Sequence, residues 1–183
     1  MPQPIVVVDY DPSWPEVFER LRALIWPVVQ DFALGIEHVG STSVPGLAAK
    51  PIIDMDVVIA SPAQIPLAIE RLGTLGYVHR GNLGIEGREA FQQPAHLPPH
   101  HLYVCLQDIV SLRNHLALRD YLRSHPAAIQ AYGALKKRLA QEHAHNIEAY
   151  IEAKSDLILS MLAQTGFQTD QIATIREQNR AKP

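Results

Sequence analysis

The residues best suited to chemistry lie in one run, His38-Val39-Gly40-Ser41-Thr42-Ser43-Val44-Pro45-Gly46-Leu47-Ala48-Ala49-Lys50-Pro51-Ile52-Ile53-Asp54-Met55-Asp56-Val57-Val58-Ile59. A Gly-Ser turn is followed, after residues 42–53, by Asp-x-Asp inside an unbroken stretch of strand formers. Side chains two apart on a strand share a face. Asp54 and Asp56 therefore project together, while Ile53, Met55 and Val57 point the other way into a core. Both faces of such an apolar strand are expected to be covered, and burying two unpartnered carboxylates would cost several kcal/mol each, on the order given for buried ions. A cation resolves the conflict. Mg²⁺ is commonly held by one or two carboxylates plus the phosphates of a substrate, so Asp54 and Asp56 are expected metal ligands. Gly40 and Ser41 offer backbone N–H groups and a hydroxyl to those phosphates.

This order of parts resembles the nucleotidyltransferase signature of the DNA polymerase β superfamily: Gly-Ser, a spacer, then Asp-h-Asp-h with h apolar. The fuller string from Glu37 to Asp54 closely resembles the GrpB family of bacterial proteins, a branch of that superfamily. Further matching segments are Tyr10-Asp11-Pro12-Ser13-Trp14-Pro15, His100-His101-Leu102 and His115-Leu116-Ala117-Leu118-Arg119-Asp120-Tyr121-Leu122-Arg123. The pattern continues through His125-Pro126, Tyr132, Leu135-Lys136 and Tyr150-Ile151-Glu152-Ala153-Lys154, so it covers residues 4–165. The resemblance implies an α+β fold: a nucleotidyltransferase-like mixed β-sheet with flanking helices, followed by a C-terminal helical bundle.

It also implies an activity, the transfer of a nucleoside monophosphate from an NTP to a small acceptor with Mg²⁺. The alternative is a catalytically inactive module that binds a nucleotide or a coenzyme A-related ligand. GrpB-like domains joined to dephospho-coenzyme A kinase in some bacteria imply that second ligand, and a partner in coenzyme A biosynthesis, by association only. A polymerase-type site adds a third carboxylate from a neighbouring strand. The natural carrier here is His101–Leu106, where His101, Tyr103 and Cys105 alternate onto one face and none is acidic. His101 could replace the carboxylate as base or ligand, or be a hydrogen-bonded core histidine. Related sequences often carry a second histidine where this chain has Tyr103. Ser43, with Pro45 and Gly46, either meets phosphate or shapes the loop. Lys50 either meets phosphate or snorkels to solvent. Arg88 is placed to make a bidentate phosphoryl contact or to be a solvated edge charge. Arg119, Arg123, Lys136 and Lys154 form a basic wall for triphosphate or an acidic acceptor under the resemblance, and a solvated helix face without it.

The elements that must position these groups follow from periodicity. Ser13-Trp14-Pro15-Glu16 reads as a capped helix start, with apolar residues at helical spacing to about Phe32. Ile36–Val39 and 52–60 read as strands. Ser61-Pro62 opens a helix that Gly73 and Gly76 end. Short strands are expected at Tyr77–His79 and Arg88–Gln92, then a Pro/His-rich loop over 94–99 and the strand His101–Leu106. Helices follow from Val110 to His125-Pro126, from Ala127 to His143, from Ile147 to Gln164, and from Asp170 to Gln178, with a polar tail expected to fray. The layout divides into residues 1–108, an α/β half, and 109–183, a helical half, packed as one unit with a shared cleft.

Composition sets the outer bounds. The 183 residues are 47% hydrophobic and 19% charged, enough for one core of ordinary size. A net charge of −3 lacks the basic footprint that nucleic-acid binders carry, so nucleic acid is not the expected partner, and the small nucleotide expected instead is what the resemblance implies. A single cysteine, Cys105, rules out an intrachain disulfide and a cysteine-rich zinc site. No apolar run reaches membrane-spanning length and the N-terminus lacks a leader pattern, which makes a cytoplasmic protein the expectation.

Overall fold

The structure, a computed structural model, describes residues 4–179. The polar tail assigned to the last residues falls largely outside that range.

Helix α1 (Trp14–Val29) and strand β1 (Ala33–Val39) lead into a short 3₁₀ turn at Ser41–Ser43. Strand β2 (Ile53–Ile59) carries the two aspartates, and helix α2 (Ile65–Thr74) follows it. Strands β3 (Val78–His79), β4 (Arg88–Gln92) and β5 (His100–Leu106) complete a five-stranded sheet in the order β1-β2-β5-β4-β3. The β2/β5 pair is parallel and the other three pairs are antiparallel. Helices α3 (Val110–Ser124), α4 (Pro126–Glu142), α5 (Ile147–Leu162) and α6 (Thr169–Asn179) form the C-terminal bundle. This is the mixed-sheet α+β class that the sequence implied, with the central parallel pair holding the residues of interest.

Alternation on β2 is strict. Ile53, Met55, Val57 and Ile59 are buried against α1 and α2, in one cluster with Leu21, Ile25 and Leu72. Asp54 and Asp56 face the other way, toward the bundle. Parallel pairing sets Asp54 beside His101 and Asp56 beside Tyr103, while antiparallel pairing sets Val39 beside Asp54. The chain therefore leaves β1 at the level of Asp54, which delivers Gly40 and Ser41 to the carboxylate.

The loop after that turn is anchored in both halves. Val44 and Leu47 are fully buried in the bundle's own cluster with Leu122, Tyr132 and Leu162. Ala49 exchanges two 2.9 Å backbone hydrogen bonds with Val8. Apolar burial at both ends fixes a segment that has little regular structure of its own.

Several local expectations differ. Ser13 does not cap α1: its side chain makes no cap hydrogen bond, and its backbone N–H instead donates to Asp11 Oδ1 at 2.8 Å, an Asx turn one step earlier. The helix stops at Val29 rather than Phe32, because residues 30–32 turn into β1, which starts at Ala33 and carries a bulge between Ala33 and Gly35. Ser61 opens a 3₁₀ turn over Pro62–Gln64, with a complete capping box between Ser61 and Gln64, and α2 continues from it at Ile65. Helix α2 runs through Gly73, and Gly76, at φ +86°, turns the chain out of it.

Candidate functional site

Gly40 has φ +69° and ψ −174°, a conformation that side chains resist. A Cβ there would collide with Asp54 Oδ2. The glycine is thus required twice, for the turn and for the contact. Ser43 donates its hydroxyl to Gly40 O at 2.6 Å and is buried, so it holds the loop's shape.

Each aspartate has a histidine partner. His101 Nδ1 donates to Asp54 Oδ1 at 2.9 Å, and both side chains are partly exposed. His115 Nδ1, from α3, donates to Asp56 Oδ2 at 2.6 Å. Asp56 is fully buried, and its Oδ1 has no hydrogen-bond partner. Burial disfavours protonating His115, yet the charge and hydrogen bond of Asp56, with help from Asp54, outweigh it and raise the imidazole above its ordinary value. The adjacent histidine of the His100-His101 pair faces the other way: it bonds Pro98 O and Tyr77 OH, both at 2.7 Å, and burial lowers its pKa.

Lysines converge on the same turn. Lys136 Nζ donates to Ser41 Oγ at 2.7 Å and lies 4.5 Å from the Tyr132 ring centre. Lys154 and Lys50 both approach the Tyr150 ring, at 4.8 Å and 6.0 Å from its centre. Burial, then repulsion from Lys154, holds Lys136 well below the lysine range despite the pull of Asp54. Burial and Lys50 lower Lys154 to about 8. Lysines outnumber the one partly exposed carboxylate in this recess, and a bound anion would favour their protonated forms.

Two cavities open here and meet at Ser41, Asp54, Ile151 and Lys154. One, of about 200 Å³, is walled by Lys50, Lys136, Lys154, His101 and Tyr150. The other, of about 280 Å³, runs between β2 and helices α3 and α5, past His115, Asn114, Leu118 and Ser155.

The cleft thus collects Gly40, Ser41, Lys50, Asp54, His101, Arg119 and Lys154 from the residues singled out in the sequence. Arg119 lines it while its Nη1 is spent on Glu37 Oε2 at 2.7 Å and His38 O at 3.1 Å. Arg123 instead clasps the Ser43 carbonyl through Nε and Nη2, at 3.0 and 2.7 Å. Arg88 lies outside the cavity walls, stacked 4.5 Å from the Tyr103 ring centre, with its Nε sealed and unpartnered. No carboxylate occupies the β5 position beside Asp56, which Tyr103 fills. His115 was a motif match without an assigned role, and Lys136 only one member of a basic wall. Their i, i+4 partners, Arg119 and Tyr132, were the sequence signal that each belonged to one working helix face.

Whether these residues fit a divalent cation can be tested on the donor set. Among the described residues no group of three His, Cys, Asp or Glu side chains is disposed to hold a metal alone. Asp54 beside Ser41, with the unspent Oδ1 of Asp56 on the same strand face, fits a cation completed by phosphate oxygens.

Fold and site together define an α+β protein whose carboxylate strand and lysine-lined cleft meet at a Gly-Ser turn. The model of the family described as GrpB protein matches residues 4–164, and the chain belongs to that family. It is 37% identical to UPF0157 protein YqkA of Bacillus subtilis over 84% of its length, spanning only 45% of that relative. A crystal structure of the conserved protein GrpB from Enterococcus faecalis matches with a TM-score of 0.79 at 35% identity, over 87% of this chain and 96% of that one. A fainter likeness runs to a dephospho-CoA kinase of Mycolicibacterium paratuberculosis, 24% identical over 82% of this chain and 43% of that protein. The structure of Cid1 in complex with the UTP analog UMPNPP aligns at 9% identity and a TM-score of 0.47, over 72% of this chain and 40% of that one, which says nothing about activity. Among the described residues no helix is long and apolar enough to cross a membrane.

Proposed function

We propose that the cleft binds a nucleoside triphosphate with Mg²⁺ and transfers the nucleoside monophosphate to a small acceptor. One observation carries this reading: Ser41, Asp54 and three lysines, Lys50, Lys136 and Lys154, line one recess, where the lysines outnumber the one carboxylate. Asp54 and Asp56 would hold the cation, which when bound supplies charge neutralisation on the phosphates. Gly40 and Ser41 seat the distal phosphates, with Lys136 presented through its bond to the Ser41 hydroxyl. Lys50 and Lys154 offset the charge that gathers on departing pyrophosphate. Arg119, pinned by Glu37, adds positive potential at the same mouth. His101 is in place to take the acceptor's proton, its ring oriented by Asp54. Ser43 and Arg123 support the loop from behind rather than touching ligand.

Calorimetry of Mg-ATP against the wild type and the Asp54→Asn/Asp56→Asn double variant is the test. The double variant keeps its circular dichroism and loses Mg²⁺-dependent binding. Undiminished affinity in a folded double variant overturns the metal assignment.

A second reading, a binding module without turnover, is favoured by one feature. The β5 position beside Asp56 carries Tyr103, covered by Arg88, where a third acid would serve a second cation. Its ligand would be a nucleotide or, by analogy with the kinase likeness alone, a coenzyme A-related molecule. Pyrophosphate release from labelled NTPs with a metabolite pool favours the transferase; saturable binding without release favours the module.

A further inference from the structure

The two cavities differ in character. The lysine-walled lobe suits phosphates. The lobe between α3 and α5 is faced by Leu118, Leu122, Ile151 and Ile158, with Asn114 and Ser155 adding polar groups on its helical walls. Ser155 spends its hydroxyl proton on Ile151 O at 3.0 Å. Asn114 is different: its Oδ1 is sealed from solvent and accepts no hydrogen bond. An acceptor left unpaired in a largely apolar wall is costly, and groups of this kind call for an explanation.

We propose that this lobe takes the nucleoside portion of the ligand, and that Asn114 is the residue that reads it, by accepting a hydrogen bond from one of its O–H or N–H groups. The inference rests on the triphosphate reading above and adds the identity of the second lobe. Three observations support it. The lobe meets the phosphate lobe at Ser41, Asp54 and Lys154, so a ligand whose phosphates lie against the turn can extend into it without a break. Its walls are aliphatic on two helices and aromatic at Tyr132, the lining that flat heterocycles prefer. Asn114 lines the lobe from α3, one turn before Leu118, with its unspent Oδ1 turned in behind the lining. The terminal torsion of asparagine is broad, so the amide can turn to a ligand without leaving its rotamer.

The donor on the ligand could be a sugar hydroxyl or a base N–H, and both share the chemistry Asn114 needs. Calorimetry with Mg²⁺ separates them through ATP, GTP, CTP, UTP, 2′-deoxy-ATP and inorganic tripolyphosphate. Wild-type protein is expected to bind at least one NTP about tenfold or more tightly than tripolyphosphate. Asn114→Ala lowers that NTP affinity about three- to tenfold, the worth of one hydrogen bond, and leaves tripolyphosphate binding unchanged. Leu118→Trp, which fills the lobe from a partly buried position in its wall, removes the advantage of the NTP and also spares tripolyphosphate. A loss with 2′-deoxy-ATP equal to that of Asn114→Ala, and absent in that variant, assigns the sugar hydroxyl. A base-dependent loss assigns the base instead. Equal wild-type affinity for every NTP and for tripolyphosphate overturns the nucleoside lobe while leaving the phosphate site standing. Failure of both kinds of ligand to bind overturns the triphosphate reading itself. An Asn114→Ala effect of the same size on tripolyphosphate makes the residue merely structural and sinks its role as reader.

Discussion

The two faces of β2 divide the labour of a single strand. Toward α1 and α2, Ile53, Met55, Val57 and Ile59 are all nearly or completely buried among aliphatic and aromatic side chains. Toward the bundle, Asp54 and Asp56 meet histidines, a serine turn and lysines whose proton affinity is depressed. The same backbone thus carries, at alternate positions, groups that hold the fold together and groups that oppose it. Burial of the apolar face supplies stability against which the polar face can hold unpaired charge.

The widest separation between the faces is expected from Met55→Ala. It should cost about 2–5 kcal/mol in urea unfolding, as large-to-small core changes do, while Mg-ATP affinity per folded molecule stays constant. Gly40→Ala follows, since its Cβ would strike Asp54 at a positive φ. A loss of about 1–3 kcal/mol, the scale of backbone strain, should come with displaced Asp54 and weakened Mg-ATP binding. Lys154→Met should move the two readouts oppositely. Melting temperature of the ligand-free protein rises, because a partly buried cation repelled by Lys50 is gone, while Mg-ATP affinity falls. If Lys154→Met lowers both, the lysine supports the fold and the contrast between the faces is wrong.

The smallest effect is the dependence on pH. Folding holds Lys154 at about 8 against an ordinary 10.5, so between those values the unfolded chain binds the extra proton. Stability of the ligand-free protein therefore gains a contribution that grows as pH rises from about 8 toward 10 and is flat below. Lys136, shifted in the same direction, adds to it. Affinity for Mg-ATP should decline across that window as the lysines lose charge. Melting curves and calorimetry at matched pH check the two slopes, and Lys154→Met should reduce both to the part that Lys136 contributes.

Much of this was legible in the chain, for reasons that differ by element. Strand β4 occupies Arg88–Gln92 as read, since turn glycines before it and prolines after it leave little choice. The facing of Asp54 and Asp56 follows from a period of two and needs nothing else. The start of α1 falls at Ser13 as its residues indicate, but the cap bond does not form, because Ser13 and Asp11 are both competent acceptors and only the folded backbone shows that Asp11 bonds the Ser13 N–H. The partners of the site were harder. His115 lies 59 residues from Asp56, and Lys136 lies 95 from Ser41. Their meeting depends on how the bundle docks, which periodicity along a helix does not encode. Asn114 carried no motif at all. Its interest comes from an unmet hydrogen bond, a property that exists only once the neighbours are in place.

Arg123 reaches from the end of α3 to clasp the Ser43 carbonyl with two N–H groups, and Arg119 holds Glu37 and the His38 carbonyl one turn earlier. Rivets of this kind join the roof of the recess to its floor before any guest arrives. A vessel assembled in advance forfeits little conformational freedom when filled, so small fragments screened against the vacant protein would already meet the walls that a full-sized occupant meets.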